Sequence, residues 1–169
     1  MDYKENRLEK LRLIIDELIY SSQADIGRYF SHLYAVSRFG VLLALRRNLN
    51  PEIAATCGML HDIYQVTAGT SEQHAVEGAK VAEKILKEMS MYSDEEIMLI
   101  TTAISRHSDK EIIHGPYDEL LKDADVMCHY FYNTDFPIYF ASQFPFLEKE
   151  RTRYENILRE LGFNHDQEH

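Results

Sequence analysis

Residues 50–63 read NPEIAATCGMLHDI. Asn50 followed by Pro51 is the signature of a helix start, an N-cap side chain and a proline at the first helical position. The helix so opened carries Ile53, Cys57 and Leu60, and reaches His61-Asp62. An imidazole and a carboxylate at the end of an apolar stripe lie where polar groups are costly, roughly 2–7 kcal/mol for each group left without a partner. The pair therefore needs either hydrogen-bonding neighbours or a metal ion, and imidazole nitrogen with carboxylate oxygen is what a divalent metal takes.

The same placement recurs outward from this segment. His32, Val36, Phe39 and Leu43 share one helical face, as do Ile97, Ile100, Ile104 and His107. Leu121, Asp125, Cys128 and Tyr132 form another such stripe, and His74 shares a face with Gly78, Val81 and Ile85. Four helices each aim one polar side chain inward, and a fifth supplies His61-Asp62. Six donor residues, with a carboxylate able to bridge, are about enough for two metal ions. A purely structural hydrogen-bond network is the bland alternative.

Apolar periodicity is helical almost throughout, and no β-type alternation is sustained. A first helix is expected over about residues 4–20, with Leu8, Leu11, Ile15 and Leu18 on one face. A second follows the break at Ser21-Ser22 and runs through His32 to about Arg47. After a loop at Thr67–Ser71, Ser71 is the expected cap of a helix holding His74 to Met89. Ser93 and Glu96 form a capping box for the helix ending near His107. Gly115-Pro116 opens the helix bearing Asp125, and a last helix covers about Pro145–Leu161, stopped by Gly162. The expectation is a single all-α domain over residues 1–169, a bundle of about seven helices. Its motif-bearing core spans about 28–130, followed by an aromatic segment and helix over 131–162 and a polar tail over 163–169.

Bulk composition narrows the function. With 45% apolar and 27% charged residues, the 169-residue chain has ordinary globular proportions. No apolar run approaches the roughly 20 residues of a membrane span, and the polar start MDYKENRLEK is not a secretory signal. Cys57 and Cys128 sit in apolar helical patterns and read as reduced core thiols, with a cytoplasmic location as the default. A net charge of −10 weighs against a long nucleic-acid partner. A small anion is still admissible, because bound metal charge overrides the global field locally.

The ordered set His32, His61-Asp62 and Asp125 resembles the HD superfamily of metal-dependent phosphohydrolases over roughly residues 28–130. AATCGMLHDI (54–63) is similar to the family's HD segment, and HAVEGAKVAEKIL (74–86) to its H-x-x-x-GA helix. TTAISRHS (101–108) resembles its second-metal histidine region, and LLKDADVM (120–127) its terminal Asp motif. His165-Asp166 is also an HD pair, but lies in a polar tail with no apolar flank and is discounted. His74 and His107 resemble the additional ligands of the dinuclear subset. The resemblance implies one ion on His32, His61, Asp62 and Asp125, and a second on Asp62, His74 and His107, with Asp62 bridging. It also implies iron or manganese as the commonest ions, and a small phosphorylated substrate. Small bacterial members of the subset hydrolyse dinucleoside polyphosphates.

Departures from the family pattern bear on the substrate. The common HDIGK run reads His61-Asp62-Ile63-Tyr64-Gln65, so a phosphate-contacting lysine is replaced by Gln65. The frequent His-His pair reads Arg106-His107, and His114-Gly115-Pro116-Tyr117 does not reproduce the Gly-Tyr-Pro signature of cyclic dinucleotide phosphodiesterases. Arg28 and Arg106 are the nearest candidates for phosphate clamps, against an ordinary reading as surface arginines. His114 and His129 read as surface or packing histidines. The aromatic run Tyr130–Phe146 is read as core or homodimer surface in preference to a base-stacking lid. The expected activity is hydrolysis of a phosphoester or phosphoanhydride of a small nucleotide-like substrate by a metal-bound hydroxide, with Asp62 central. The alternatives are a di-iron oxygenase with the same ligand set and a non-catalytic nucleotide-binding regulator.

Overall fold

The computed structural model describes residues 6–22, 25–132 and 148–163, with the side chains of Tyr132, Glu148 and Lys149 left out. The residues of the aromatic run between 133 and 146, the tail from 164 with its second HD pair, and residues 1–5 lie outside this set. The described residues form α1 (Arg7–Ser21), α2 (Ile26–Arg46), α3 (Pro51–Leu60), α4 (Ile63–Ala68), α5 (His74–Met89), α6 (Asp94–Arg106), α7 (Pro116–Tyr132) and α8 (Glu148–Glu160), without strands. The all-α expectation holds. None of these helices is long and apolar enough to cross a membrane.

Local signals explain most boundaries. Asn50 caps α3 through the Glu52 N–H, with Pro51 at the first helical position. Ser93 and Glu96 make both halves of the capping box on α6. Gly162 sits just past α8 at φ +88°, where a side chain would be strained. Two boundaries differ from the sequence reading. After Asp62, at φ −108° and ψ 18°, a further short helix, α4, runs to Ala68 and takes in Thr67, where the sequence reading began a loop. Ser71 does not cap α5 with its side chain. Gln73 is the N-cap at φ 51°, with no side-chain cap bond, and Ser71 instead offers its carbonyl to the His74 N–H.

Helix α3 is the centre of the molecule. Every residue from Ile53 to Leu60 is buried, as a helix enclosed on every side requires. It packs on α1, α2, α6 and α7. Against α2 the approach is backbone to backbone. A Cβ on Gly58 would lie 2.5 Å from the Cα and N of Ser37, and one on Gly40 would lie 3.1 Å from the Ala54 carbonyl oxygen. This crossing brings the turn before Ser37, with His32, beside the turn after Gly58, with His61.

Ion pairs fasten the outer helices to this centre. The Arg7 guanidinium binds Glu52 and Glu96, each at 2.8 Å, and lies 4.4 Å from the Tyr92 ring centroid, tying α1 to α3 and α6. Asp123 on α7 accepts from Arg47 and Arg153, each at 2.6 Å, and Arg47 also binds Glu160 at 2.7 Å. The C-terminal helix is thereby held against α2 and α7. The aromatic residues that can be placed serve packing. Tyr130 is buried and stacks on Tyr154 at 4.5 Å, and Phe131 contacts Phe39 and Tyr154.

Gly58→Ala should be strongly destabilising, because the new methyl meets backbone that cannot rotate away. We expect a loss of about 3 kcal/mol and a Tm roughly 6–12 °C lower in a thermal melt. Gly27→Ala is the control: its Cβ would meet nothing nearer than 3.6 Å, and the change should be neutral or slightly stabilising. Equal melts for the two variants would contradict the close crossing.

Candidate metal centre

The six donor residues converge, and helix ends do much of the aiming. His61 is the C-cap of α3, Asp62 the N-cap of α4, His74 the first residue of α5 and His107 the C-cap of α6. His32 and Asp125 project from within α2 and α7. His61 and His107 each donate Nδ1–H to a carbonyl of their own helix's last turn, Gly58 at 2.8 Å and Ile104 at 2.7 Å. His74 donates likewise to the Ser71 carbonyl at 2.9 Å. In all three the main chain fixes the ring and the tautomer, leaving the Nε2 lone pair inward, as metal-ligating histidines require. The small residue Gly78 lets α5 approach this turn, since a Cβ there would lie 3.3 Å from the His61 carbonyl oxygen.

The inward nitrogens face one another and two carboxylates. His32 Nε2 and His61 Nε2 are 3.0 Å apart, and each is 3.6 Å from Asp62 Oδ2. Asp125 Oδ1 lies 3.5 Å from His32 Nε2 and 3.8 Å from His61 Nε2. On the other side of Asp62, His74 Nε2 and His107 Nε2 are 3.2 Å apart and each is 3.5 Å from Oδ1. Donor atoms that share one ion at about 2.0–2.2 Å are separated by about this much. Asp62 Oδ1 is buried with no hydrogen-bond partner. Although Asp62 stands at the N-cap of α4, its side chain makes no cap bond, against the usual habit of aspartate there. An unpartnered carboxylate oxygen facing two imidazole nitrogens is a donor set that fits a cation. His32 with His61 and Asp62, and Asp62 with His74 and His107, are each grouped closely enough to hold a metal ion.

Electrostatics show how charge is arranged here. Burial alone would raise the Asp62 carboxyl, but His61, His107 and His32 hold it far below the usual carboxylate range. Burial acts the same way on Asp125, and Lys110, His129, His61 and His32 outweigh it. His61 is pushed down to about 4, chiefly by burial. His32 is pulled down by burial, yet Asp62, Cys128 and Asp125 more than offset this and raise it to about 10. Of this pair, His32 is therefore the histidine that holds a proton more readily.

The centre lines a cavity of about 870 Å³, within the range of small-molecule sites. Arg28 and Gln65 reach it, with Asp25, Glu111 and Glu150 as acidic neighbours. Arg106 is not brought to it; its guanidinium is half-exposed and pairs with Asp118 at 3.5 Å. Three residues that sequence reasoning passed over belong to the surroundings. Cys128 Sγ, taken as plain core, lies 3.3 Å from His32 Nδ1. Lys110 Nζ binds Asp125 Oδ2 at 2.8 Å. His129, read as a surface or packing residue, has its Nε2 3.5 Å from Asp125 Oδ1. Its spacing of one helical turn from Asp125 was the available signal. His114 packs as expected, with Nδ1 2.8 Å from the buried Lys122 amine.

A family model for the HD domain matches residues 29–130, more than half of the chain and all six donor residues. The chain belongs to the HD-domain family, whose members are largely metal-dependent hydrolases that bind divalent ions. No curated protein and no solved structure matches it.

Because an ion must displace the His32 proton, apparent metal affinity should depend on pH with a defined sign. His32 is protonated below its value of about 10, whereas His61 is already neutral. Binding of Mn²⁺ to the His32 group should tighten about ten-fold per pH unit between about pH 6 and 8.5. Titration of a His107→Ala variant, which leaves that group intact, measures this directly. A flat profile would show that His32 carries no proton in the metal-free protein.

Proposed function

We propose that this protein is a metal-dependent phosphohydrolase with a dinuclear centre, cleaving a phosphoester or phosphoanhydride bond of a small nucleotide-like substrate. The observation that carries the reading is the Asp62 carboxylate, with Oδ2 toward His32 and His61 and an unpartnered Oδ1 toward His74 and His107. One carboxylate presented to two groups of imidazoles is the disposition of a bridging ligand. His32, His61, Asp62 and Asp125 would hold one ion, and Asp62, His74 and His107 the other. Iron and manganese are the ions we expect. When bound, such ions supply Lewis acidity, polarising phosphoryl oxygens and lowering the pKa of water.

The chain's own residues do the rest. Gly58, Ile104 and Ser71 carbonyls lock three imidazoles, so the donors need no reorganisation as charge develops on phosphorus. Lys110 takes up Asp125 Oδ2 and leaves Oδ1 for the centre. Arg28 lies at the cavity in the exposed first turn of α2 and is placed to meet a phosphate oxygen. Gln65 offers an amide donor where the family commonly has lysine. The cavity volume suits a nucleotide-sized molecule.

The test is phosphate release by metal-depleted protein reloaded with Mn²⁺ or Fe²⁺, across nucleoside phosphates and dinucleoside polyphosphates, with and without oxygen. Turnover should persist without oxygen. Asp62→Asn and His61→Ala should lower kcat roughly 10²-fold or more, and Arg28→Ala should raise KM about ten-fold. Turnover that requires iron and oxygen would replace hydrolysis by oxygenase chemistry. Tight nucleotide binding with no turnover by the reloaded protein would instead make it a binding module.

A further inference from the structure

His129 lies one turn beyond Asp125 on α7, on the same face of the helix. Its Nε2 is 3.5 Å from Asp125 Oδ1, the same distance as His32 Nε2 from that oxygen, with His61 Nε2 at 3.8 Å. Three imidazole nitrogens thus converge on a single carboxylate oxygen. The second oxygen of Asp125 is engaged by Lys110 at 2.8 Å, and the same ammonium binds Glu150 Oε1 at 3.0 Å. The other oxygen of Glu150 faces His129 Nδ1 at 3.9 Å. A closed circuit results, from Asp125 through Lys110 and Glu150 to His129 and back to Asp125.

The circuit gives His129 the two features of the other inward histidines. The Glu150 carboxylate lies on the Nδ1 side, at 3.9 Å instead of the 2.7–2.9 Å of the carbonyls behind His61, His74 and His107, and Nε2 is turned toward Asp125. A carboxylate behind an imidazole is a common way of orienting a metal ligand and raising its basicity. The His129 ring also stacks on His32, with centroids 5.5 Å apart and planes 9° from parallel. Its side chain is 39% exposed, so close packing does not dictate this orientation. His32, Asp125 and His129 each offer a ligand atom, all within 4.8 Å of one another.

We propose that His129 is a further ligand of the ion held by His32 and Asp125, with Glu150 and Lys110 as its positioning residues. The proposal rests on the metal-centre reading above and adds to it a donor from the Asp125-x-x-x-His129 spacing. It also makes α8, which supplies Glu150 and lies beyond the family-matched residues, part of the centre's support.

Co²⁺ titration of metal-depleted full-length protein tests this, read by calorimetry and by the visible d–d bands. A His107→Ala background isolates the His32 group. There, His129→Ala should weaken Co²⁺ binding by at least about ten-fold and shift the bands, as loss of a ligand must. Glu150→Gln should weaken binding less and leave the band positions in place. Circular dichroism confirms that each variant is folded. If His129→Ala leaves affinity and bands unchanged while His61→Ala abolishes binding, His129 is no ligand and the metal centre stands without it. Weaker binding with unmoved bands would likewise overturn ligation, since His129 would then act only through its neighbours. If His61→Ala has no effect either, the metal-centre reading itself falls, and the proposal falls with it.

Discussion

The contact on which the rest depends is the crossing of α2 over α3 at Ser37 and Gly58. Two helix backbones meet where a single methyl group would overlap the neighbouring main chain. That approach sets the 3.0 Å separation of His32 and His61, because each histidine lies within about a turn and a half of the crossing on a rigid helix. Were the helices at the 8–10 Å of an ordinary side-chain-mediated packing, the rings would not meet. Gly78 plays the matching part for α5, bringing His74 near the His61 main chain. The small residues are thus the means by which separate helices deliver their donors to one point.

What converges there is unfavourable without a cation. The His74 and His107 Nε2 lone pairs face each other at 3.2 Å, and a buried carboxylate oxygen has no donor. Such a cluster adds nothing to folding in the way that apolar packing does, since buried polar groups stabilise only when satisfied. The apolar framework therefore has to carry it, and α3, buried along its length, together with Ile100, Ile104 and Leu121 around it, supplies that framework. Metal binding would relieve the conflict and add to the stability of the folded chain.

Much of this was legible in the sequence because it rests on local rules. Asn50-Pro51, Ser93 with Glu96, and Gly162 mark helix ends by chemistry that acts over a few residues, and each does so in the structure. The six donors stood out because each interrupts an apolar face. Tertiary facts were less visible. The short α4 has no side-chain cap at its start, because the Asp62 carboxylate is turned to the histidines instead. Ser71 looked like a cap, but its carbonyl serves His74. Arg106 neighbours a donor in sequence, yet projects toward Asp118. Lys110 and Glu150 meet only through packing of α8, across 40 residues of chain, which no local pattern announces.

Charge links the fold to what the cavity can accept. Of Arg28 and Lys110 at its wall, Lys110 is matched by Asp125 and Glu150, whereas the Arg28 guanidinium lies 5.7 Å from the Tyr29 ring centroid. Against these two stand Asp62 and Asp125 in the centre, and Asp25, Glu111 and Glu150 around it, on a chain of net charge −10. Carboxylates outnumber the lysine and arginine at this wall. On the reading proposed above, two divalent ions would reverse the local sign, so an anionic substrate and the metal would bind as coupled ligands, each raising the affinity of the other. Gln65, neutral at the cavity wall, sharpens this dependence, because it supplies no fixed positive charge that could draw an anion before the ions arrive.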